Sequence, residues 1–589
     1  MVYPNGRTID YNYSGANLNS ALDNAIGRLD SISDGANSGE VGQVLEQYSY
    51  LGLSTIIARN HPQTGINLTL LGSAGSIGSG GDQYIGLDRF GRVVDQNWVN
   101  TSAGQSVDNF TYSYDANSNV TAENNLLDSA YSQTFTYDPL NRLGSSTLGG
   151  AAYQSWTLDS QGNWSSYTSN GTTQTQAANA QNQITSISGT SATPTYDASG
   201  NTVSMGLTTQ PAGSVSTLVY DAWNRLVAVK NSSGQIIAQY TYNAMGHRVT
   251  ESYPQGGTGI PAGEINYIYY NSQWQAIETR TNGTASSNVT SQMVWSAAYV
   301  NAAVLRDTYS AGVIQPNSRI YFLQDTNWNT TAIVGLIRGS WQVTQRYVYS
   351  PYGTITVLNA DWSSPPAGTQ PVVQNLYQGM QLDAVTGLYY ARNRNYSPSL
   401  GRWINQDPAG YINGANTYQF VVGNPVNAVD PWGTQVYGVH PYIPSPLVPV
   451  PGPGTNYGEV VSGVWNLGFG EFQVLAGAVN AEFAGFVVSA NGLFEANNGI
   501  HQVANGFGAD WPNPYATSLW GALGAPNPLA HAIGAFTGRN PADAADAIDE
   551  AININDLLGD LTRWLRRQPA PGWGRPDPCD NWEISGYIV

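Results

Sequence analysis

Seven stretches of the chain are variants of one short phrase: LDRFGRVV (87–94), YDANSNVT (114–121), YDPLNRLG (137–144), LDSQGNWS (158–165), YDASGNTV (196–203), YDAWNRLV (220–227) and YNAMGHRV (242–249). Their starts lie 27, 23, 21, 38, 24 and 22 residues apart. A recurring unit of this size constrains the fold more than any single residue, because each unit forms one supersecondary element that must stack on its neighbours. The 38-residue interval contains a Gln/Asn/Ser/Thr-rich stretch, 165–195, long enough to hold a degenerate copy.

The phrase is a turn between strands. An Asp at its start can bond backbone N–H groups two residues on, as Asp88, Asp115, Asp138, Asp159, Asp197 and Asp221 are placed to do. Three residues later comes a residue tolerant of positive φ: Gly91, Asn141, Gly162, Gly200, Asn224 and Gly246. The flanks QTFTYD, STLVYD and AQYTYN alternate in polarity, as strands with one buried face do. Each repeat therefore reads as about one hairpin, and hairpins are marginal alone, so a continuous sheet is expected. The recurrent Tyr is read as packing; Tyr and Trp platforms for sugar binding are the alternative.

Composition agrees with this reading. Only 11% of the 589 residues are charged, while Gly (65) and Tyr (37) are abundant, a balance that suits strands and turns. The formal charge is −18, from 22 Lys+Arg against 40 Asp+Glu, with no basic cluster ahead of the tail, so the body is not expected to bind nucleic acid. A single Cys, Cys579, excludes an intramolecular disulfide framework and a Cys-based zinc cluster. No cofactor or metal is expected. The N-terminal residues MVYPNGRTIDYNYSG lack a basic n-region followed by an apolar h-region.

These repeats resemble the YD repeats of the bacterial Rhs family, found also in the C component of insecticidal Tc toxins and in teneurins. YFLQDTNWNTTAIVG (321–335) and RYVYSPYGTI (346–355) resemble the segment that leads into the family's core. YQGMQLDAVTGLYYARNRNYSPSLGRWINQDPAGYINGANTYQFVVGNPVNAVDPWG (377–433) resembles the repeat-associated core itself: a D-x-x-T-G-L-x-Y hairpin, an R-x-R-x-Y strand, a G-R-[FW] turn, then D-P-x-G, N-x-Y-x-[YF], N-P and a second D-P-x-G. The resemblance implies a mainly β fold, a hairpin sheet wound into a shell or partial spiral and capped by the core. It covers the repeat sheet (85–355) and the core (356–434); the residues themselves read as a strand-rich segment (1–84) continuing the sheet, a Pro-rich linker (435–458) and a variable tail (459–589).

In toxin-bearing members the core cuts off the tail. The resemblance places an aspartyl pair at Asp407 and Asp430, 23 residues apart, and the cut at Thr434–Gln435. Arg402 of the GRW turn is read either as orienting or charge-balancing the pair or as an ordinary strand-end Arg. Two carboxylates held close cannot both ionise, so one takes a proton from water while the other donates one. Two readings stay open. Asp-Pro-x-Gly is a type I turn in its own right, and Thr434 stands where cleaving relatives carry an apolar residue.

The tail is apolar and small-residue-rich over 459–505, carrying Glu459, Glu471, Glu482 and Glu495, and reads as a helix pair rather than a membrane span. Residues 531–568 have helical spacing, with Asn540 and Pro541 at the start and Arg563, Arg566 and Arg567 at the end. The five His (His61, His247, His440, His501 and His531) form no metal or nucleophile motif. The expected partners are the chain's own tail, an immunity protein if the tail is a toxin, and otherwise further copies, surface proteins or carbohydrate. Secretion or cell-surface display is expected. The rival reading is a non-catalytic extracellular protein that self-assembles or binds glycans.

Overall fold

A computed structural model describes residues 1–13, 27–36, 41–51, 55–70, 86–88 and 90–438. The expectations for the helical tail and most of the Pro-rich stretch lie outside the described residues. Those described divide almost wholly into strands and turns. A 14-stranded sheet runs from Ile9–Asn12 to Ile184–Ile187, and a 15-stranded sheet from Thr195–Tyr196 to Ile355–Asn359. Within each, strands pair antiparallel in chain order, except that Val313–Ile314 leaves the path beside Ala303–Ser310. The only helices among the described residues are four single 3₁₀ turns.

Alternation sets the faces. In Gln133–Tyr137, Gln133 and Phe135 are buried while Thr134 and Thr136 face solvent, and the exposed threonines pair across to Thr147 and Ser145 at 2.6 Å. Thr330–Ile337 breaks the pattern: its first six residues are all buried, so this strand is covered on both faces.

The repeat turns share one geometry. In the turn at Asp138, Oδ1 accepts the N–H groups of Leu140 and Arg142 at 2.9 Å each, and Oδ2 accepts the Arg142 side chain. Asn141 bonds back to the Asp138 carbonyl at φ +60°. Asp88, Asp115, Asp159, Asp197 and Asp221 repeat the pattern. So does Asn179, inside the 38-residue interval: its Oδ1 accepts from Gln181 and Gln183, and Asn182 takes φ +62°. That interval does hold a degenerate copy. Further turns of this form start at Asn231, Asn271 and Asp325.

The fifth residue of a turn often reaches the next turn along the sheet. Asn119, Asn163 and Asn201 donate to Asn141, Asn182 and Asn224 at 2.8–2.9 Å. The two sheets are joined by a buried ring of ions. Arg7 bonds Asp34 (2.6 Å) and Asp307 (2.9 Å), and Arg319 bonds the same two acids at 2.8 Å. Four unlike charges in alternation leave no buried charge uncompensated.

The core segment packs onto these sheets as a cluster of rings. Tyr396 lies 4.0 Å from Phe420, and Trp403 lies 5.4 Å from Phe420. Tyr352, at the end of the second sheet, meets Trp164 of the first edge-on at 4.8 Å and accepts the Tyr396 hydroxyl on its carbonyl. Gly401, at φ +61°, lies against the Trp164 ring so closely that a methyl group there would fall 2.0 Å from it. The core also reads the repeat turns directly. Asn416 donates to Gln161 O and Asn163 Oδ1, Asn424 to Asn119 Oδ1, and Tyr418 to Gly200 O.

Candidate functional site

Both Asp-Pro-x-Gly elements fold as turns of the repeat type. Ala409 N–H donates to Asp407 Oδ1 at 2.9 Å, and Gly410 closes on the Asp407 carbonyl. At Asp430 the side chain reaches one residue further. Its Oδ1 accepts the N–H of Thr434 at 3.0 Å and that of Gln435 at 3.1 Å. The second of these is the nitrogen of the Thr434–Gln435 peptide bond itself, and the first belongs to the peptide before it.

The fold brings Asp407 and Asp430 together on a third residue. Arg394, on the strand Arg394–Ser397, places one nitrogen, Nη2, 2.9 Å from Asp407 Oδ2 and 3.0 Å from Asp430 Oδ2. All three side chains are buried. The guanidinium rests on the Trp403 ring, 4.2 Å away, and its Nη1 donates to Thr417 O at 3.0 Å. Burial pushes the Asp430 carboxyl up to about 6, against the pull of Arg394 and the two N–H groups, with Asp407 adding to the rise. Asp407 is also raised by burial, and opposed first by Arg394.

Arg402 does not join the pair. Its Nη2 donates to Asn182 O at 2.6 Å and its guanidinium lies over Tyr418, so it fastens the core to a repeat turn. The balancing cation comes instead from the R-x-R-x-Y strand. The motif was visible in the sequence, yet nothing there shows which of three nearby arginines faces the acids.

The main chain after Asp430 is held carbonyl by carbonyl. Arg392 Nη1 donates to Pro431 O (2.6 Å), Asn393 Nδ2 to Trp432 O (2.9 Å), and Arg394 Nε to Gly433 O. These three donors are consecutive residues at the turn between Tyr389–Ala391 and Arg394–Ser397, where Arg392 takes φ +54°. Gly433, at φ +66°, passes so close that a Cβ would sit 2.6 Å from Ala391 O, so the site demands glycine there. Beyond the bond, Tyr437–Gly438 pairs with Ala428–Val429, so the first residues of the stretch read as a linker are strand-paired. The contacts with Thr434 and Gln435 described above all fall on their main-chain atoms. A second residue that the sequence reading missed, Asn413, donates to Asp407 Oδ2 at 3.1 Å. Among the described residues no group of three or more His, Cys, Asp or Glu is placed to hold a metal, and no helix is long and apolar enough to cross a membrane.

The teneurin YD-shell family model matches residues 101–426, more than half of the chain. The chain is 27% identical over 274 residues to the double-stranded DNA deaminase toxin A of Burkholderia cenocepacia, covering 43% of this chain and 18% of that protein. It is 38% identical over 106 residues to toxin subunit YenC2 of Yersinia entomophaga, covering 18% and 10%. The match thus spans less than a fifth of the length of either relative. In fold it is similar to the Tc holotoxin pore of Photorhabdus luminescens, with a TM-score of 0.54 at 18% identity over 76% of this chain and 21% of that one.

Proposed function

The chain belongs to the teneurin YD-shell family, and on that premise we propose that its repeat-and-core unit is a toxin-type β-shell that carries its own C-terminal segment and cuts it between Thr434 and Gln435. The observation that carries this reading is the contact of Asp430 Oδ1 with the nitrogen of that bond and with the N–H of Thr434 before it. The Asp430 carboxyl, pushed up to about 6 by burial, accepts the Gln435 N–H at 3.1 Å in the intact chain, so in its protonated form it lies within reach of the nitrogen that must gain a proton to leave. Asp407 takes the base role: it removes a proton from the attacking water as the oxygen adds to the Thr434 carbonyl carbon. Asp430 then protonates the Gln435 nitrogen as the C–N bond breaks, leaving a carboxyl group on Thr434 and an amine on Gln435. Arg394 keeps the pair close without requiring both acids to be neutral. Because the bond is held by its main chain, Thr434 in place of an apolar residue removes none of these contacts.

The segment from Gln435 onward is read as the cargo. The relatives are named as toxins, which favours action outside the producing cell and an immunity protein within it. The test uses freshly made full-length protein on a denaturing gel, with the new N-terminus sequenced. Cleavage gives fragments of roughly three-quarters and one-quarter of the 589 residues, the smaller beginning at Gln435. Asp430→Asn is expected to restore one band. A parent chain that stays whole would reduce the pair to a structural clamp.

A further inference from the structure

Asn413 lies in the turn that follows Asp407, and its side-chain amide straddles the Thr434–Gln435 bond. Its Nδ2 donates to the Thr434 carbonyl oxygen at 3.0 Å, and its Oδ1 accepts the N–H of Val436 at 3.1 Å. The same Nδ2 donates to Asp407 Oδ2 at 3.1 Å. We infer that Asn413 is a catalytic residue of the cleavage proposed above, supplying the hydrogen bond that stabilises the Thr434 oxygen as charge develops on it.

The inference rests on that cleavage reading and on three contacts that fix the amide's orientation. An amide nitrogen carries two hydrogens and an amide oxygen carries none. Reversing the group would set its oxygen against the Asp407 carboxylate and the Thr434 carbonyl, and its nitrogen against the Val436 N–H. Both ends would then meet like partners, so the donor stays aimed at the carbonyl. A donor held in place before the reaction needs no reorganisation during it, which is the condition for strong electrostatic catalysis.

The electron balance follows. Water's oxygen bonds to the Thr434 carbonyl carbon and its proton passes to Asp407. The carbonyl π electrons move onto the oxygen that faces Asn413 Nδ2. When they return, the C–N bond breaks and the Gln435 nitrogen takes the proton held by Asp430. Asn413 gains and loses no proton. Its grip on Thr434 O and Val436 N also fixes which peptide bond faces the acids. Asn413 is half-buried and flanked by exposed Tyr411 and Ile412, so this side of the bond lies near solvent, from which the water comes.

The test follows cleavage of full-length protein over time after pulsed synthesis, at several pH values. Asn413→Ala is expected to slow cutting about 10²- to 10³-fold, the loss typical of removing one such donor. Asn413→Asp keeps the shape but removes the N–H at neutral pH. Its rate is expected to fall as far there and to recover toward acid pH, where a protonated carboxyl can donate again, displacing the pH profile toward acid. Urea unfolding of both variants in an Asp430→Asn background reports folding without cutting. A parent that cuts while Asn413→Ala cuts within threefold of it overturns this inference and leaves the cleavage reading standing. If Asn413→Ala fails to fold, an Asn413→Asp profile of the same shape as the parent's overturns it. A parent that never cuts overturns both.

Discussion

Asp325 starts a repeat-type turn, but it is buried among other acids. Its Oδ1 accepts the N–H groups of Asn327 and Asn329 at 2.9 Å each, and its Oδ2 accepts Asn329 Nδ2 at 2.7 Å. Burial pushes its carboxyl up to about 7, and Asp108 adds to the rise. Glu123 is raised to about 8, by burial and then by Asp325 itself. Four other turns of this chain perform the same task with an uncharged Asn. Asn179, Asn231, Asn243 and Asn271 all accept two turn N–H groups at 2.9–3.0 Å. Asp325→Asn therefore keeps the turn and removes the charge.

The sign is fixed by the direction of the shift. An acid whose folded pKa lies above its unfolded value, about 4 for Asp, stabilises the fold fully below that value and loses the contribution as pH rises through the folded pKa. Each pH unit between the two costs about 1.4 kcal/mol. For Asp325 the loss begins above the ordinary carboxylate range and is largely complete by pH 8. The Asn variant lacks this dependence. Its stability relative to the parent should therefore rise from pH 5 to pH 8, by on the order of a few kcal/mol. That double difference cancels any constant cost, such as an altered bond to Asn329. Urea unfolding followed by tryptophan fluorescence, with both chains carrying Asp430→Asn to prevent cutting, measures it. A relative stability that stays flat or falls from pH 5 to pH 8 would refute the reasoning.

Asp138→Ala removes the oxygen that accepts two turn N–H groups, and the partner of Arg142, from one turn. With Asp138 about a quarter exposed, the expected loss is about 2–3 kcal/mol in urea unfolding, whereas Asp138→Asn should cost under about 1 kcal/mol because it keeps both acceptor contacts. Equal costs would show that the ion pair, and not the turn bonds, carries the stability. Arg394→Met leaves two carboxyl groups buried without their cation. Cleavage should stop, and stability at pH 8 should fall by about 3–5 kcal/mol, less at pH 5 where the carboxyl groups take up protons. An equal loss at both pH values would argue against a charge-based cost.

The sheet was legible because its turns obey local chemistry, and misreadings came where that chemistry has other carriers. A template that asks for Tyr or Leu before the Asp or Asn misses Asn179 and Asn231, which follow Ala178 and Lys230, whereas the turn needs only the acceptor oxygen that both provide. Asn271 follows a Tyr and still escaped the template, because its fourth residue is Trp274 and not Gly, Asn or Ser. Trp274 takes φ +56° and Trp328 φ +63°, conformations that bulky residues rarely adopt. Tertiary packing holds them there: Trp274 lies 4.4 Å from the His247 ring, and Trp328 stacks on Tyr299 at 4.8 Å. No local rule could supply those partners.

The site shows the same division more sharply. Asp407 and Asp430 could be read because each sits in a turn of known form, 23 residues from the other. Arg394 and Asn413 could not be chosen over Arg392, Arg402 or Asn416 until the chain was folded, because all of them are plausible donors by type. What selects them is the stacking of three separate pieces: the hairpin carrying Arg392–Arg394, the turn from Asp407 to Asn413, and the turn that begins at Asp430. The core that contains these pieces is itself fastened to repeat turns through Asn416, Tyr418 and Asn424. An acid pair that exists only once these contacts are made has no cutting geometry in an unfinished chain. On the proposed reading, cleavage at Thr434–Gln435 is coupled to completion of the sheet, and changes at distant repeat turns should reduce cutting as well as stability.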